Sequence, residues 1–573
     1  MSSVAADDLK RSSQHLRGTI GDELAEETNA FGAEALQLLK FHGVYQQDDR
    51  DRRRELTQAK QELAYSCMVR ASVPGGVLTA AQWAGIDDLA DEFADGALRL
   101  TTRQGVQYHF VHKGELRALI AGLNRRLVST YAACGDVVRN VMATTAPYLE
   151  RDHERVRSLA RALDTRFAPQ SNAYWELWVD GERAVSATPA PVTEGGDDVE
   201  PLYGTTYLPR KFKIGIALPG DNSVDIFSHD VGIVPLGEGA VILAGGGLGR
   251  SHNDPTTFPR LADPVAWVPD DRVADVVEAI ITVHRDFGNR DDRKHARLKY
   301  VIEDRGVEWL RSEIEQRAGI ELDAVPELPS WGSPRDHLGW HAQTPGSDGA
   351  EQWFLGVAVP TGRLADAEGI RRRTAVRSIL DTYADEIRLT PHQDLLLCGI
   401  STADKDAVEA ILAEHNVPMA SQLKLTVLSS MACPALPTCG QALGEAERVL
   451  PELTDLLDEL LEQRNLAKVR IETRMTGCPN GCARPYVAEL GVVGRTKTSY
   501  DLWLGGDPVG TRLATQAIEA VPFRKLGDAL GPILDRFAAD RSADEAFGDW
   551  VDRVGVDTAI ADAPTFRVPG KKD

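Results

Sequence analysis

Cys433, Cys439, Cys478 and Cys482 form two tight pairs, Cys433-Pro-Ala-Leu-Pro-Thr-Cys439 and Cys478-Pro-Asn-Gly-Cys482, separated by an amphipathic helical stretch. Four soft thiolates brought to one centre are what a cubane iron–sulfur cluster requires. The alternatives are structural zinc, disulfides and buried thiols. Structural zinc usually keeps two to four residues inside a cysteine pair, so the five between Cys433 and Cys439 suit it less well. Disulfides need an oxidising compartment, and residues 1–14 are polar, without the apolar run that would send the chain to one. The expected location is therefore cytoplasmic. Cys67, Cys134 and Cys398 sit in apolar, strand-like contexts and read as buried, inert thiols.

Basic residues supply the other chemistry. Lys211 and Lys213, in Arg210-Lys-Phe-Lys213, are spaced so that on a strand both ammonium groups point to one face. By itself that pattern is a solvated strand edge. Arg290, Arg293, Lys294 and Arg297 fall largely on one face of a helix, with Lys299 beyond them, and on spacing alone such a face is solvated. Gly245-Gly-Gly247 lets backbone approach a ligand closely. Asn480 favours a tight turn and has an amide able to donate to sulfur.

An internal repeat positions these groups. Val73-Pro-Gly-Gly-Val-Leu78 and Leu98-Arg-Leu-Thr-Thr-Arg-Gln104 are echoed by Val359-Pro-Thr-Gly-Arg-Leu364 and Ile387-Arg-Leu-Thr-Pro-His-Gln393. Each copy reads turn, helix, strand, matching Arg99 to Arg388, Arg103 to His392 and Gln104 to Gln393. The separations, 26 residues from Val73 to Arg99 and 29 from Val359 to Arg388, imply duplication. Two copies imply a pseudo-twofold α+β protein with a site between its halves rather than a solenoid. The segment from Cys134 to Val141 follows the first copy as the segment from Cys433 to Gly440 follows the second, with Arg139 where the other half has thiolates.

Composition narrows the partners. A chain of 573 residues with 43% hydrophobic content builds several cores. A net charge of -22 argues against nucleic acid and anionic membrane surfaces, so any anion site must be a local basic focus. No apolar run approaches a membrane span of roughly 18 residues. Neither a Rossmann G-x-G-x-x-G nor a Walker A sequence is present, so electrons must come from a partner.

Leu16-Arg-Gly-Thr-Ile20, Phe41-His-Gly-Val-Tyr-Gln-Gln-Asp-Asp-Arg-Asp51, Tyr207-Leu-Pro-Arg-Lys-Phe-Lys213, Gly245-Gly-Gly-Leu248, Arg285-Asp-Phe-Gly-Asn-Arg290, Met475-Thr-Gly-Cys-Pro-Asn-Gly-Cys482 and Leu504-Gly-Gly506 together carry a family resemblance. The chain resembles the sulfite/nitrite reductase family with sirohaem and a [4Fe-4S] cluster, and within it the haemoprotein (beta) subunits of assimilatory sulfite reductases. The resemblance implies that Cys433, Cys439, Cys478 and Cys482 bind the cluster and that Cys482 also bridges to the sirohaem iron. It implies that Arg70, Arg139, Lys211 and Lys213 hold the substrate oxyanion. Arginine forks can grip two oxygens, and lysine ammonium groups can polarise a leaving oxygen and pass a proton.

Sirohaem's carboxylates need cations and donors, for which Arg99, Arg103, Gln107 and His109 are candidates beside the basic cluster at 290–299, with Asn480 and Cys482 at the cluster side. The implied activity is six-electron reduction of sulfite to sulfide. Nitrite reduction to ammonia is the alternative within the family, and a non-catalytic four-cysteine zinc or iron–sulfur interaction module the alternative outside it. NADPH and flavins would sit only on a partner, either a flavoprotein alpha subunit or a ferredoxin replacing it, and residues 46–51 resemble the flavoprotein-dependent type. The expected fold is α+β, a duplicated ferredoxin-like/sulfite reductase repeat in three interleaved modules around a central cofactor. Its expected parts are a charged arm at 1–64 for partner docking, paired repeat halves at 65–131 and 345–420, a sirohaem and substrate domain at 132–344, and a cluster-bearing domain at 421–573.

Overall fold

The computed structural model describes residues 3–170, 176–179, 182–186, 199–332, 337–343 and 351–567; the expected boundary between 344 and 345 lies outside the described residues. Four five-stranded sheets organise the chain. Two come from the repeat. Strands Val44–Asp48, Tyr65–Ala71, Val106–Val111 and Leu98–Leu100 lie side by side in that order, as do Gly339–Ala342, Gln352–Val357, Leu395–Ser401 and Glu386–Leu389. Each sheet is completed by a strand from the other copy. Arg363–Leu364 pairs with Leu98–Leu100, and Val77–Thr79 pairs with Glu386–Leu389. This exchange merges both copies into one apolar core.

The turns that feed the exchanged strands explain the shared sequence. Gly76 and Gly362 have φ of 76° and 77°, a conformation costly for residues with a Cβ. The space at Gly76 is taken by the Leu389 carbonyl and that at Gly362 by the Arg99 guanidinium. The helix Ala80–Phe93 that follows the first turn starts with a capping box between Thr79 and Gln82 and buries Trp83, Ile86, Leu89 and Ala90 along one stripe.

The other two sheets reveal a second duplication that the sequence conceals. Met142–Ala143, Ile214–Ile216, Val231–Leu236, Gly239–Ala244 and Asp263–Pro269 form one; Ser430–Ala432, Thr473–Thr476, Leu490–Thr496, Ser499–Leu504 and Thr515–Pro522 form the other. In both, the first three strands pair parallel and the rest antiparallel. A long helix follows each last strand, Val273–Phe287 in one and Leu526–Asp540 in the other. The register corrects the expected alignment of Cys134 with Cys433. Thr144 N donates to Ile216 O as Cys433 N donates to Met475 O, so Thr144 occupies the place of Cys433.

The N-terminal segment packs on its own chain. In helix Ser3–Ser12, Asp7 pairs with Arg290 at 2.9 Å and Lys10 with Asp136 at 3.3 Å, while Leu16 is fully buried. Residues 290–297 are not helical, against the expected shared face. Helix Val273–Phe287 stops, Asn289 Oδ1 accepts from Asp291 N and Asp292 N, and the next helix begins at Leu298. Asparagine and aspartate side chains competing for backbone donors account for the break.

Candidate active site

The four cysteines lie on loops at one end of the sheet that runs from Ser430–Ala432 to Thr515–Pro522. Strand Ser430–Ala432 delivers Cys433 and strand Thr473–Thr476 delivers Cys478, these strands being neighbours in register. Gly477 N donates to Cys433 Sγ at 3.3 Å and Asn480 Nδ2 to Cys478 Sγ at 3.5 Å. Such N–H donors favour thiolates. Burial opposes them, raising the Cys433, Cys439 and Cys478 thiols, with the Cys482 thiolate the next cause at each. Among the described residues no three His, Cys, Asp or Glu side chains converge tightly enough to hold one metal ion. Four thiols in one neighbourhood, each of the other three feeling Cys482, offer the donor set that a multi-iron cluster needs.

Cys482, the exposed member, also faces a second constellation. Cys482 acts electrostatically on Arg70, Lys211 and Lys213, and these link onward to Arg139 and Arg103. Lys211 and Lys213 flank Phe212, which is fully buried and bridges to Val138, so both lysines leave the chain on the side opposite Phe212. Burial, with Arg210 and Arg297 adding to it, lowers Lys211 to about 7. Burial and then Lys211 itself lower Lys213 well below an ordinary lysine. Arg103 is lowered to about 9 by burial and by Arg139.

The three arginines bond to neutral partners. Arg70 Nη1 is 3.0 Å from Cys134 Sγ, and the Gln107 amide, turned so that its oxygen faces the guanidinium, accepts from Arg70 Nε at 2.9 Å. Arg103 donates to Asn140 O at 2.6 Å and lies 3.2 Å from His229 Nε2; Arg139 donates to Gly135 O and Ala133 O. Among the described residues none of the five cations forms an ion pair with a carboxylate, in a chain with 86 acidic residues. Half-buried charge without a carboxylate partner carries a desolvation cost that an anion from outside the chain would offset.

Other expected residues are placed differently. Arg99 donates to Ala432 O at 2.8 Å and pairs with Glu447 at 3.3 Å, tying the first repeat to the cysteine-bearing sheet. His109 is buried with Nδ1 unpartnered and lowered to about 3 by burial, then by Arg363 and Arg99. Within the basic cluster, Arg290 pairs with Asp7, Arg293 with Asp136, Lys294 with Asp254 and Arg297 with Asp230, while Lys299 donates to Gly247 O and Gly249 O. Gly246 admits the carbonyls of Phe227 and His229, a close approach of the chain to itself. Cys134 is buried as expected but contacts Arg70 and Tyr45, whereas burial pushes Cys67 and Cys398 up to about 12.

Three contributors escaped the sequence reading. Thr102 Oγ1 donates to Cys482 O at 2.9 Å, Asn140 Nδ2 donates to Arg103 O at 2.7 Å, and Asp230 Oδ2 accepts from Lys213 N at 2.9 Å. Thr102 and Asn140 lie inside the motifs around Arg103 and Arg139, which was the available signal.

A thiol quartet beside a pocket of unpaired cations has the donor types of an oxidoreductase in which a metal cluster would adjoin an anion site. The family described as nitrite and sulphite reductase 4Fe-4S domain matches residues 158–322 and 425–564, and the nitrite/sulfite reductase ferredoxin-like half domain matches 59–126 and 344–415. The chain is 42% identical to a sulfite reductase [ferredoxin] of Synechococcus elongatus, covering 96% of this chain and 89% of that one. It is 39% identical to a sulfite reductase [NADPH] hemoprotein beta-component of Staphylococcus saprophyticus, covering 97% of each. The structure of Mycobacterium tuberculosis NirA superposes with a TM-score of 0.76 at 25% identity, covering 96% of both chains. The chain belongs to the nitrite and sulfite reductase family.

Proposed function

We propose that the protein reduces sulfite to sulfide by six electrons, using a sirohaem and a [4Fe-4S] cluster that Cys433, Cys439, Cys478 and Cys482 would hold, with Cys482 the residue that would serve both groups. One observation carries this reading: Cys482 lies between the other three thiols and the cation pocket, with Thr102, next to Arg103, donating to Cys482 O at 2.9 Å and Cys482 acting on Arg70, Lys211 and Lys213. The cofactors would supply an iron centre for the substrate and storage for electrons delivered singly. The chain supplies the rest. Arg70 and Arg139 present guanidinium groups to oxyanion oxygens, and Lys211, lowered to about 7, can hold and release a proton at Nζ near neutral pH. Arg103, Gln107 and His109 are assigned to the macrocycle's edge, with Arg99 behind them, and Asn480 to the Cys478 sulfur.

The proposed division has paired repeat halves at 65–131 and 345–420 and domains at 132–344 and 421–573, while residues 1–64, expected as an arm, lend strand Val44–Asp48 to the first repeat sheet. The electron donor is a separate protein, a flavoprotein subunit or a ferredoxin. Among the described residues no helix is long and apolar enough to cross a membrane. A cytoplasmic location is part of the same proposal, since a cluster held by thiolates suits a reducing compartment.

The test is a visible spectrum of the purified protein followed by kinetics with a viologen as one-electron donor. A haem-type spectrum, with sulfide formed from sulfite at higher kcat/KM than ammonia from nitrite, is expected. The reverse preference would assign the protein to nitrite, and a colourless zinc protein would overturn the reading.

A further inference from the structure

The segment Gln46-Gln-Asp-Asp-Arg-Asp51 reads in sequence as a mark of donor type, yet the fold gives it work inside the chain. Strand Val44–Asp48 ends in a turn that lies across the loop of the first cysteine pair. Arg50 N donates to Pro437 O at 3.2 Å. Its Nη1 donates to Cys439 O and to Ala442 O, each at 3.1 Å. One residue thus holds three carbonyls of the 437–442 loop, from 389 positions away in sequence for Cys439. Beside this contact Asp51 meets Arg448 in an exposed ion pair, Nη1 to Oδ2 at 2.6 Å. Among the described residues Arg50 forms no ion pair with a carboxylate, and it lies outside the cation pocket around Lys211, so its charge is directed at the cysteine loop.

We infer that Arg50 is a positioning residue of the cluster, clamping the Cys433–Cys439 loop in its cluster-binding shape and setting the reduction potential through its fixed positive charge. Two physical effects separate here. Tying the Cys439 and Ala442 carbonyls removes conformational freedom from a loop that must present two sulfurs in fixed geometry. A cation beside the loop stabilises the more negative, reduced state of a cluster, so its loss drives the potential down. Lysine keeps the charge, but its shorter side chain ends in a tetrahedral ammonium that cannot place one nitrogen as the Arg50 Nη1 is placed, within reach of both carbonyls. This inference rests on the cluster reading above.

The experiment uses purified holoenzyme of Arg50→Met, Arg50→Lys and the neighbouring control Arg448→Met, together with the unaltered protein. Iron and acid-labile sulfide per chain in the unaltered protein test the cluster reading itself; their absence would sink that reading rather than the role of Arg50. Given a loaded cluster, Arg50→Met should release iron to a chelator about tenfold faster and show a cluster midpoint, followed by EPR, shifted to more negative potential. Arg50→Lys should recover the potential but only part of the chelator resistance. Arg448→Met should keep the ordinary potential. Should Arg50→Met fail to load, Arg50→Lys alone still decides: a release rate and potential both equal to those of the unaltered protein overturn the proposal. So does a shift in Arg448→Met as large as that in Arg50→Met.

Discussion

The two parallel-strand sheets share one backbone and hold opposite chemistry. Where the sheet ending at Asp263–Pro269 carries Lys211 and Lys213 into its first long strand pair, its counterpart carries Arg470 and Glu472. Lys213 N donates to Asp230 as Glu472 N donates to Glu489, so even the buried hydrogen bond is retained while the side chains changed type. Asp225 and Arg484 each precede a short 3-10 turn, with φ of 50° and 57°, six residues before the matching strand. These two matched residues also meet: Arg484 and Arg474 both pair with Asp225. A residue near a pseudo-dyad touches its own counterpart, and like charges there repel. With aspartate on one side and arginine on the other, the contact is an attraction. The same freedom let one half specialise in thiolates and the other in unpaired cations.

Removing the thiolates should erase that contrast most completely. Cys433→Ser, Cys439→Ser or Cys482→Ser is expected to lose or convert the cluster, with iron and acid-labile sulfide falling together. Full retention of iron and activity would end the assignment. For Cys482→Ser, the magnetic coupling between cluster and haem iron, read by Mössbauer spectroscopy, should vanish as well.

Breaking the contact at the dyad comes next. Asp225→Asn leaves Arg474 and Arg484 buried without a counter-charge, a situation that commonly costs about 3–5 kcal/mol. Denaturant unfolding of the purified protein should show that loss; a change below about 1 kcal/mol would mean water compensates both arginines.

Deleting a charge on the cation side should spare the fold. Lys211→Met or Lys213→Met keeps much of the stem's packing, so cofactor spectra should be unchanged. Sulfite reduction should drop by roughly 10² to 10³, or about 2 to 4 kcal/mol of transition-state stabilisation. Hydroxylamine, being uncharged, should suffer less, and equal losses for both substrates would reassign the lysines to proton delivery or pocket shape.

The smallest effect is on pH dependence. Lys211 falls from 10.5 to about 7 on folding without cofactor, through burial first and Arg210 next. Between those values the unfolded chain binds the proton and the folded chain does not, so this group makes stability rise as pH increases from about 7 toward 10.5. Thermal melts of cofactor-free protein should therefore show a steeper gain from about pH 7 to about pH 9.5 than melts of Lys211→Met. Identical slopes would remove Lys211 from an enclosed, uncompensated position.

The cysteine quartet and the first repeat were legible in the sequence because their causes are local. Ligand spacing inside Cys478–Cys482 is set by a single turn, and Gly76, Gly362, Gln104 and Gln393 all adopt positive φ, which restricts residue choice at matched positions. The second repeat was hidden because sheet register depends on backbone hydrogen bonds that tolerate almost any side chain, so Asp230 could become Glu489 and Thr144 Cys433 without moving a strand. Spacing also misled at 290–297, where asparagine and aspartate took the backbone donors a helix would need. Tertiary structure alone decided which cations stay unpaired. Arg293 and Arg297 find Asp136 and Asp230, Lys211 and Lys213 face Cys482, and Arg50 reaches the cysteine loop, because charge compensation is settled by distance in space and distance along the chain does not constrain it.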